Sequence, residues 1–240
     1  MDTAISREVV GTRSNVGMVD VSTLGKIDIQ GKDAGEFLNR IYTNGWTKLP
    51  IGRARYGLML REDGIVFDDG TTSRLSEQHY FMTTTTSNAA SVLSHMEYYL
   101  QVHWPDLDVK IASVTEQWAA MAIAGPNSRK VLEKVLSAED VSDEVLPFMG
   151  VKEFFINGIP AIVFRISFSG ELAYEINVAA DYGEYVWNHI MEKGVSENII
   201  PYGTEAMGIM RIEKGHVAGG ELDGRTTADD LGLNKLLRSK

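Results

Sequence analysis

The segments KIDIQGKDAGEFLNRI (26–41) and AAMAIAGPNSRKVLEKV (119–135) follow the same pattern of residue types. Each contains an apolar strand, a glycine turn and a short amphipathic helix, in that order. At the 94-residue offset that separates their glycines, identities recur along the chain: Gly31 with Gly125, Leu38 with Leu132, Gly64-Ile65 with Gly158-Ile159, Ser73 with Ser167, Tyr80 with Tyr174, Val92 with Val186 and His95 with His189. The pattern predicts two copies of one α+β unit, spanning residues 1–112 and 113–240.

The other elements support the same fold class. Strands are predicted at 16–30, 55–60, 65–69, 80–85, 109–112, 119–124, 151–156, 161–167 and 172–178. Helices are predicted after the caps Ser87 and Asp181 and from Gly203 to Glu213. Because strands and helices are interleaved without regular alternation, we expect an α+β fold rather than a doubly wound parallel sheet.

Composition excludes several kinds of site. The 240 residues include 23 Lys and Arg against 33 Asp and Glu, for a net charge of −10, and contain no cysteine. Disulfides, a thiolate nucleophile, zinc–cysteine sites and iron–sulfur sites are therefore excluded. The negative charge argues against nucleic acid and anionic membranes as partners.

The sequence also lacks targeting features. No apolar run approaches the roughly 18 residues of a membrane span, and the first residues lack the layout of a signal peptide. We therefore expect no membrane association and a cytoplasmic location.

The segment GIVFDDGTT (64–72) places two carboxylates in an apolar strand. Side chains alternate along a strand, so Asp69 is expected on the face of Ile65 and Phe67. Asp68 then points the other way, beside Val66. A carboxylate on an apolar face needs a partner, and desolvation raises its pKa toward the range that suits proton transfer. Asp69 is the candidate catalytic residue; the alternative is a turn in which Asp69 caps backbone amides.

The segment FSGELAYEINV (168–178) contains a second candidate. In strand register Glu175 lies between Ala173 and Asn177 on one face, and the intervening apolar residues take the core side. An ionised Glu can accept two parallel N–H donors from an aminopyrimidine edge, and the small neighbour leaves room for a planar ligand. The alternative is an ordinary solvated strand face.

Two further stretches suit a polar ligand. The hydroxyl run 83–86, with Thr84 as its candidate, lies where a strand meets a helix; the alternative is a strand end with a helix cap. Arg211 can bind a carboxylate, or pair with Glu205 or Glu213 on its own helix. Four glycines between 215 and 224 indicate tight turns or close approach to a ligand.

Four motifs carry a resemblance to a known family: VGMVDVSTLGKIDIQGKDAGEFLNRI (16–41), YGLMLREDGIVFDDG (56–70), SGELAYEINV (169–178) and MRIEKGHVAGGELDG (210–224). In this order they resemble the glycine-cleavage T-protein (aminomethyltransferase) superfamily. Within it, the chain is similar to the folate-binding C-terminal region of the sarcosine oxidase alpha subunit, which is part of a heterotetramer. The resemblance implies a duplicated tetrahydrofolate-binding domain that passes the one-carbon unit of an oxidised N-methyl amine to tetrahydrofolate.

The resemblance also implies roles for particular residues. Asp69 faces the folate amine that accepts the one-carbon unit, and Glu175 holds the edge of the pterin. Tyr56, thirteen residues before the acid, packs on the folate ring system. Thr84 and Arg211 complete the expected folate-binding set, and both carboxylates are expected to serve one pteridine.

The family context implies further domains and partners. Flavin (FAD or FMN) and NAD are expected only on other domains or subunits, because this chain has no flavin-binding glycine motif. The expected partners are tetrahydrofolate and the flavin-bearing subunits of sarcosine oxidase. Relatives continue into a C-terminal barrel, so we expect this chain to be a barrel-less piece of a longer subunit.

Two departures from the T-protein pattern argue against T-protein activity itself and fit sarcosine-oxidase-like members. Met207 stands where T-proteins have a folate-binding arginine, and the run 83–86 replaces a V-N-A loop. His216 stands where an iron–sulfur assembly branch has a cysteine, which argues against that branch. The alternative function is a non-catalytic folate-binding or assembly module, which Met207 and the expected lack of the barrel favour.

Overall fold

The computed structural model describes residues 3–137 and 140–237. Within these ranges the helices are α1 (Thr3–Ser14), α2 (Ala34–Ile41), α3 (Ala89–Tyr98), α4 (Ser128–Val135), α5 (Gly183–Gly194) and α6 (Thr204–Lys214). The strands are β1 (Val16–Asp20), β2 (Gly25–Gln30), β3 (Arg53–Leu60), β4 (Val66–Ser76), β5 (His79–Thr84), β6 (Lys110–Ser113), β7 (Trp118–Ala124), β8 (Val151–Ile156), β9 (Ile159–Phe164), β10 (Ala173–Ala179) and β11 (Ile199–Pro201). None of these helices is long and apolar enough to cross a membrane.

The chain divides into two compact units, and each contains one sheet. The first unit combines the residues up to Ser22 with Glu116–His216, and its six strands are ordered β11-β1-β7-β10-β9-β8. The second unit combines Thr23–Thr115 with the segment from Val217 onward, and its five strands are ordered β3-β4-β5-β2-β6. Two mainly antiparallel sheets with packed helices confirm the predicted α+β class.

The core of the first unit lies on one face of its sheet. Alternate residues of β10 point into it, as a strand with one apolar face requires. Helix α4 contributes a stripe of buried residues at helical spacing, Val131, Leu132 and Val135. Each aliphatic side chain fully buried in this way stabilises the fold by about 1.5–3 kcal/mol.

The second unit has apolar clusters on both faces of β4. One cluster contains Met59, Met82 and the buried stripe of α2. The other contains Leu58 and Val66, and it includes Ala228 from the C-terminal segment. A backbone hydrogen bond from Val66 N–H to the Thr226 carbonyl, 2.9 Å long, joins that segment to the start of β4. The first part of β4 therefore has apolar packing on both faces, which governs the chemistry of its two carboxylates.

The two units share a topology at the offset that the sequence predicts. In each, a strand leads through a glycine into a helix, then through three antiparallel strands into a second helix. The pair Ile27↔Met82 of β2 and β5 becomes Met121↔Ile176 of β7 and β10, with both residues moved by 94 positions. In the same way, the pair Leu58↔Asp69 of β3 and β4 becomes Lys152↔Val163 of β8 and β9, again with both residues moved by 94 positions.

The first strand of each half pairs in the sheet of the other half. Strand β1 precedes β2 in the chain but pairs with β7 and β11. Strand β6 precedes β7 but pairs with β2. The compact units therefore each combine two chain segments and differ from the contiguous halves 1–112 and 113–240.

The two glycines of the repeated motif are required by backbone geometry. Gly31 has φ +139° and Gly125 has φ +130°, in the region that favours glycine. A Cβ on Gly31 would lie 2.0 Å from the Asp108 carbonyl oxygen, and one on Gly125 would lie 2.5 Å from the Asn15 carbonyl oxygen. Both turns bring two backbone segments into contact that any side chain would prevent.

Some element boundaries differ from the predictions. The strand predicted at 16–30 is two strands separated by a turn, and β4 extends to Ser76 instead of ending at Asp69. Helix α1 was not predicted, because Gly11 interrupts its helical pattern; a Cβ there would lie 2.4 Å from Ile200 Cδ1. The helices predicted after Ser87, after Asp181 and from Gly203 are present as α3, α5 and α6.

Candidate functional site

Asp69 is held by Tyr56 from the neighbouring strand. The Tyr56 hydroxyl donates a hydrogen bond of 2.7 Å to Asp69 Oδ2. The two residues lie on one face of the β3–β4 pair, where Tyr56 is opposite Thr71 and Asp69 is opposite Leu58. Tyr56 and Asp69 therefore form a preorganised acid–hydroxyl pair, so the structure brings together two of the predicted site residues.

A β-bulge changes the faces predicted for this segment. The pairing of β4 with β3 shifts register between Met59↔Asp68 and Leu60↔Val66, so Phe67 is an extra residue on β4. Directly opposed residues share a face, and a bulge breaks the alternation. The prediction that Asp69 shares a face with Phe67, and Asp68 with Val66, is therefore wrong.

Asp69 lies on the face of Leu58 and Val66, which belong to one apolar cluster. Asp68 lies on the opposite face, with Met59 and Phe67. Alternation along β4 directs the two consecutive carboxylates to opposite faces, and the bulge decides which apolar neighbours each one shares.

Asp68 is the more deeply buried carboxylate. Its exposed fraction is 1%. Its oxygens accept hydrogen bonds from Asn88 Nδ2 at 3.3 Å and from Thr85 N–H at 3.4 Å. Burial raises the pKa of Asp68 to about 6, although these hydrogen bonds favour the charged form.

Asp69 also has a raised pKa, and its environment is more polar. Burial raises the pKa of the Asp69 carboxyl, and the hydrogen bonds from Tyr56 and Thr85 oppose that shift. Glu221, in the glycine-rich C-terminal segment, raises it further by charge repulsion. Burial and the Asp69 charge raise the pKa of Tyr56, so its hydroxyl keeps its proton. The pair is thus a carboxylate with an increased proton affinity and a permanent donor.

The hydroxyl run lies beside these acids, and Thr85 is the residue that contacts them. Thr85 Oγ1 lies 3.5 Å from Asp69 Oδ1. Thr84 is 2% exposed, and its hydroxyl donates to the Thr85 carbonyl at 3.5 Å. Thr83 Oγ1 is 2.8 Å from Thr71 Oγ1 on β4. Close strand approach is possible because residue 70 is glycine, where a Cβ would lie 2.0 Å from the Thr83 carbonyl oxygen.

The glycine-rich C-terminal segment packs on the same region. A Cβ on Gly219 would lie 2.4 Å from Thr85 Cγ2, so this glycine permits close packing against the chain itself. Gly215 ends α6 with φ +81°, and Gly224 has φ +83°. Tight turns are therefore present at Gly215 and Gly224, and the close approach at Gly219 is to Thr85, while close approach to a ligand stays a prediction.

Glu175 lies in the first unit on the face that the sequence predicts. Tyr174, Ile176 and Val178 are fully buried in the core, and Glu175 points to the other side of β10. That side is not solvated, because Glu175 is 6% exposed and Asn177 is fully buried. The solvated-face alternative is therefore wrong.

Small residues flank Glu175 and Asn177. Glu175 is opposite Ala122, and Asn177 is opposite Ala120, both on β7. Asn177 Nδ2 donates a hydrogen bond of 2.9 Å to Glu175 Oε1. The arrangement is a pair of polar side chains in an apolar strand face, with small residues beside them on the β7 side.

Arg211 bonds to the end of its own helix. Its Nη1 donates to the His216 carbonyl at 3.1 Å, and the His216 N–H donates to the Arg211 carbonyl at 2.9 Å. Glu213, one partner considered for Arg211, forms an ion pair of 2.5 Å with Arg13. Met207 packs against an apolar cluster that contains Tyr202 and is no substitute for a cation.

Three residues with site-like surroundings were not singled out from the sequence. Asp68 was set aside by strand parity, which the bulge breaks. Thr85 was treated only as part of a hydroxyl run, and its backbone N–H contact could not be read from the sequence. Asn177 was seen only as a neighbour of Glu175, although an amide two positions from an acid on a strand was a usable signal.

Comparisons with known proteins agree with this architecture. A family model described as GCVT N-terminal domain matches residues 1–240. The chain is 54% identical to sarcosine oxidase subunit alpha of Rhizobium meliloti (strain 1021), over 98% of the chain and 24% of that protein. It is 31% identical to the aminomethyltransferase of Chloroherpeton thalassium (strain ATCC 35110 / GB-78), over 89% of the chain and 58% of that protein.

A solved structure shares the fold. The glycine cleavage system aminomethyltransferase T from Bartonella henselae superposes with a TM-score of 0.86 at 23% identity. The match covers 98% of this chain and 61% of that one. The chain therefore has the aminomethyltransferase fold, while it spans about a quarter of the sarcosine oxidase alpha subunit that it matches.

Proposed function

Because the chain belongs to the GCVT N-terminal domain family, we propose that it binds tetrahydrofolate and passes to it the one-carbon unit of an oxidised N-methyl amine. One observation carries this proposal: a shielded carboxylate, Asp69, has a raised pKa and a 2.7 Å hydrogen bond from Tyr56. A carboxyl group whose proton affinity is increased in this way is suited to accept a proton during the reaction.

Asp69 supplies the proton acceptor in this scheme. When an iminium carbon is transferred, it forms bonds to two folate nitrogens, each of which loses a proton, and its bond to the amine breaks. The departing amine takes one proton and the Asp69 carboxylate takes the other. Tyr56 stays protonated and fixes the carboxylate, so we assign it a positioning role in addition to the predicted contact with the folate ring.

Glu175 binds the N–H edge of the pterin ring in this scheme. A carboxylate accepts two parallel N–H donors, which matches the aminopyrimidine edge of a pterin. The burial of Glu175 and the alanine beside it support this role, because a desolvated acceptor discriminates strongly for a ligand that pairs with it. Thr84 and Arg211 remain predicted folate contacts, to be tested with Glu175.

The wider context is also part of the proposal. We assign the chain to a longer sarcosine-oxidase-like alpha subunit in which flavin and NAD belong to other domains or subunits. The flavin-bearing subunits then provide the oxidised amine. The register that both units share at a 94-residue offset supports an origin by duplication. A following barrel and a cytoplasmic location stay predictions.

Calorimetric titration with tetrahydrofolate tests binding, and product formation from an iminium generated by flavin-dependent oxidation of sarcosine tests transfer. We expect Asp69→Asn to slow transfer by at least about 100-fold while the dissociation constant changes less than about threefold. Asp63→Asn, an exposed acid on the same hairpin, is the matched control and should keep both values. Equal losses of binding and transfer in Asp69→Asn would remove its catalytic assignment.

The second candidate is a non-catalytic folate-binding or assembly module. The apolar packing of Met207, where T-proteins have a folate-binding arginine, favours it. Folate binding with transfer no faster than the uncatalysed reaction, in native protein and Asp69→Asn alike, would establish this alternative.

A further inference from the structure

Asn177 contains a buried acceptor that the described part of the chain leaves unsatisfied. The residue is fully buried, and its Nδ2 donates to Glu175 Oε1 at 2.9 Å. Its Oδ1 is also buried and has no hydrogen-bond partner among residues 3–137 and 140–237. A buried amide oxygen without a donor costs free energy, so this atom marks a place where a donor is expected to bind.

The hydrogen bond to Glu175 fixes which end of the amide faces outward. A carboxylate is an acceptor only, so the amide must turn its NH₂ group toward Glu175. Rotation by 180° would place two oxygens together. The remaining oxygen of Asn177 is therefore held as an acceptor, and the amide at the same time orients the Glu175 carboxylate.

The surroundings select a flat ligand edge that carries N–H groups. On β7, the residues opposite the pair are Ala122 and Ala120, which add little bulk. On β9, Glu175 is opposite Phe164 and Asn177 is opposite Ile162, and both of these apolar residues are buried. Two polar acceptors in an apolar strand face favour a planar heterocycle with adjacent donors over a charged or bulky group.

We infer that Asn177 is a second ligand-edge residue, which accepts one N–H of the 2-amino group of the pterin while Glu175 accepts the other. This inference rests on the proposed folate function. An amino group on a pyrimidine ring carries two hydrogens that point to different sides. A carboxylate on one side and an amide oxygen on the other satisfy both, which one acceptor residue cannot do with the same geometry.

The test combines a change in the residue with a change in the ligand. The full 240-residue chain, native and with Asn177→Leu, is titrated calorimetrically with tetrahydrofolate and with its 2-desamino analogue. Leucine has nearly the shape of asparagine and lacks both polar groups. The matched control is Thr12→Val, which removes another fully buried oxygen without a partner from the same unit.

We expect Asn177→Leu to weaken tetrahydrofolate about tenfold, as loss of a buried acceptor with its donor left unpaired implies. For the 2-desamino analogue the same substitution should weaken binding by at most about threefold, because that ligand lacks the amino group that Asn177 Oδ1 accepts and keeps only the contact with Glu175 that Asn177 orients. Thr12→Val should leave both affinities unchanged.

The outcomes separate this inference from the proposed function. Equal weakening of both ligands by Asn177→Leu, or no weakening of tetrahydrofolate, would overturn the role of Asn177 while native binding still supports the folate function. Absence of tetrahydrofolate binding by the native chain would overturn both. If Asn177→Leu lacks a cooperative unfolding transition, Asn177→Ala replaces it, and its loss of affinity for tetrahydrofolate is compared with its loss for the 2-desamino analogue.

Discussion

Replacing Asp68 by asparagine is expected to stabilise the protein at neutral pH. Asp68 is 1% exposed, and the donors that contact it, Asn88 Nδ2 and Thr85 N–H, are 3.3 and 3.4 Å away. These long contacts compensate incompletely for the loss of hydration. The ionised carboxylate is consequently a net cost to the folded state, and a neutral side chain of the same shape removes that cost.

The raised pKa of Asp68 gives the magnitude and the sign. The pKa moves from 3.8 to about 6 on folding, so the folded state binds the proton more tightly than the unfolded state. Stability therefore falls as pH rises from about 4 to about 6, by about 3 kcal/mol in total. Asparagine avoids this loss but offers Thr85 N–H a poorer partner, at about 1 kcal/mol. We expect Asp68→Asn to be more stable than native protein by about 2 kcal/mol at pH 7.

Urea unfolding followed by circular dichroism at pH 4.5 and pH 7 measures the effect. The stability gain of Asp68→Asn should be present at pH 7 and largely absent at pH 4.5, where native Asp68 is mostly protonated. Asp63→Asn, an exposed acid paired with Arg61 on the β3–β4 turn, should show no such gain. A destabilised Asp68→Asn at pH 7, or the same difference from native at both pH values, would refute the reasoning.

Two other substitutions test the site and the fold. Tyr56→Phe removes a hydrogen bond that lowers the pKa of Asp69, so Asp69 should ionise at a higher pH in the variant. The acid limb of the pH–rate profile for transfer should therefore shift to higher pH, and transfer at pH 7 should be about five- to tenfold slower. An unshifted limb would contradict this role. Gly31→Ala should lower the free energy of unfolding by at least about 2 kcal/mol more than Gly64→Ala does. The new Cβ at position 31 would lie 2.0 Å from the Asp108 carbonyl oxygen, whereas Gly64, which also has a positive φ of +83°, has open space around it. Equal thermal shifts for the two variants would contradict the close-approach argument.

The repeated strand–glycine–helix motif made much of the fold predictable. Local pattern gives the period, the turns at Gly31 and Gly125 and the helices that follow, because these depend on residues close in sequence. The exchange of β1 and β6 between the sheets was not predictable in this way. Strand partners are chosen by packing between residues about a hundred positions apart, and single-sequence periodicity does not contain that information.

The site shows the same division between local and distant determinants. The face of Glu175 follows from uninterrupted alternation along β10, and the structure agrees. The faces of Asp68 and Asp69 do not follow from simple alternation, because Phe67 is an extra residue on β4 that has no partner on β3. A bulge is a property of two paired strands, so reading β4 alone could not reveal it.

Exposure and hydrogen bonding provide the physical reason for assigning proton transfer to Asp69 rather than Asp68. Asp68 has almost no exposed surface, and both of its oxygens accept hydrogen bonds from the β5–α3 connection. Asp69 retains partial exposure beside the Tyr56 hydroxyl. A ligand atom can reach Asp69 without displacing the connection, whereas reaching Asp68 would require breaking it. Deleting Phe67 would make Leu60↔Val66 and Met59↔Asp68 consecutive pairs, so Asp68 and Asp69 should keep their faces and Asp69 should keep its hydrogen bond from Tyr56.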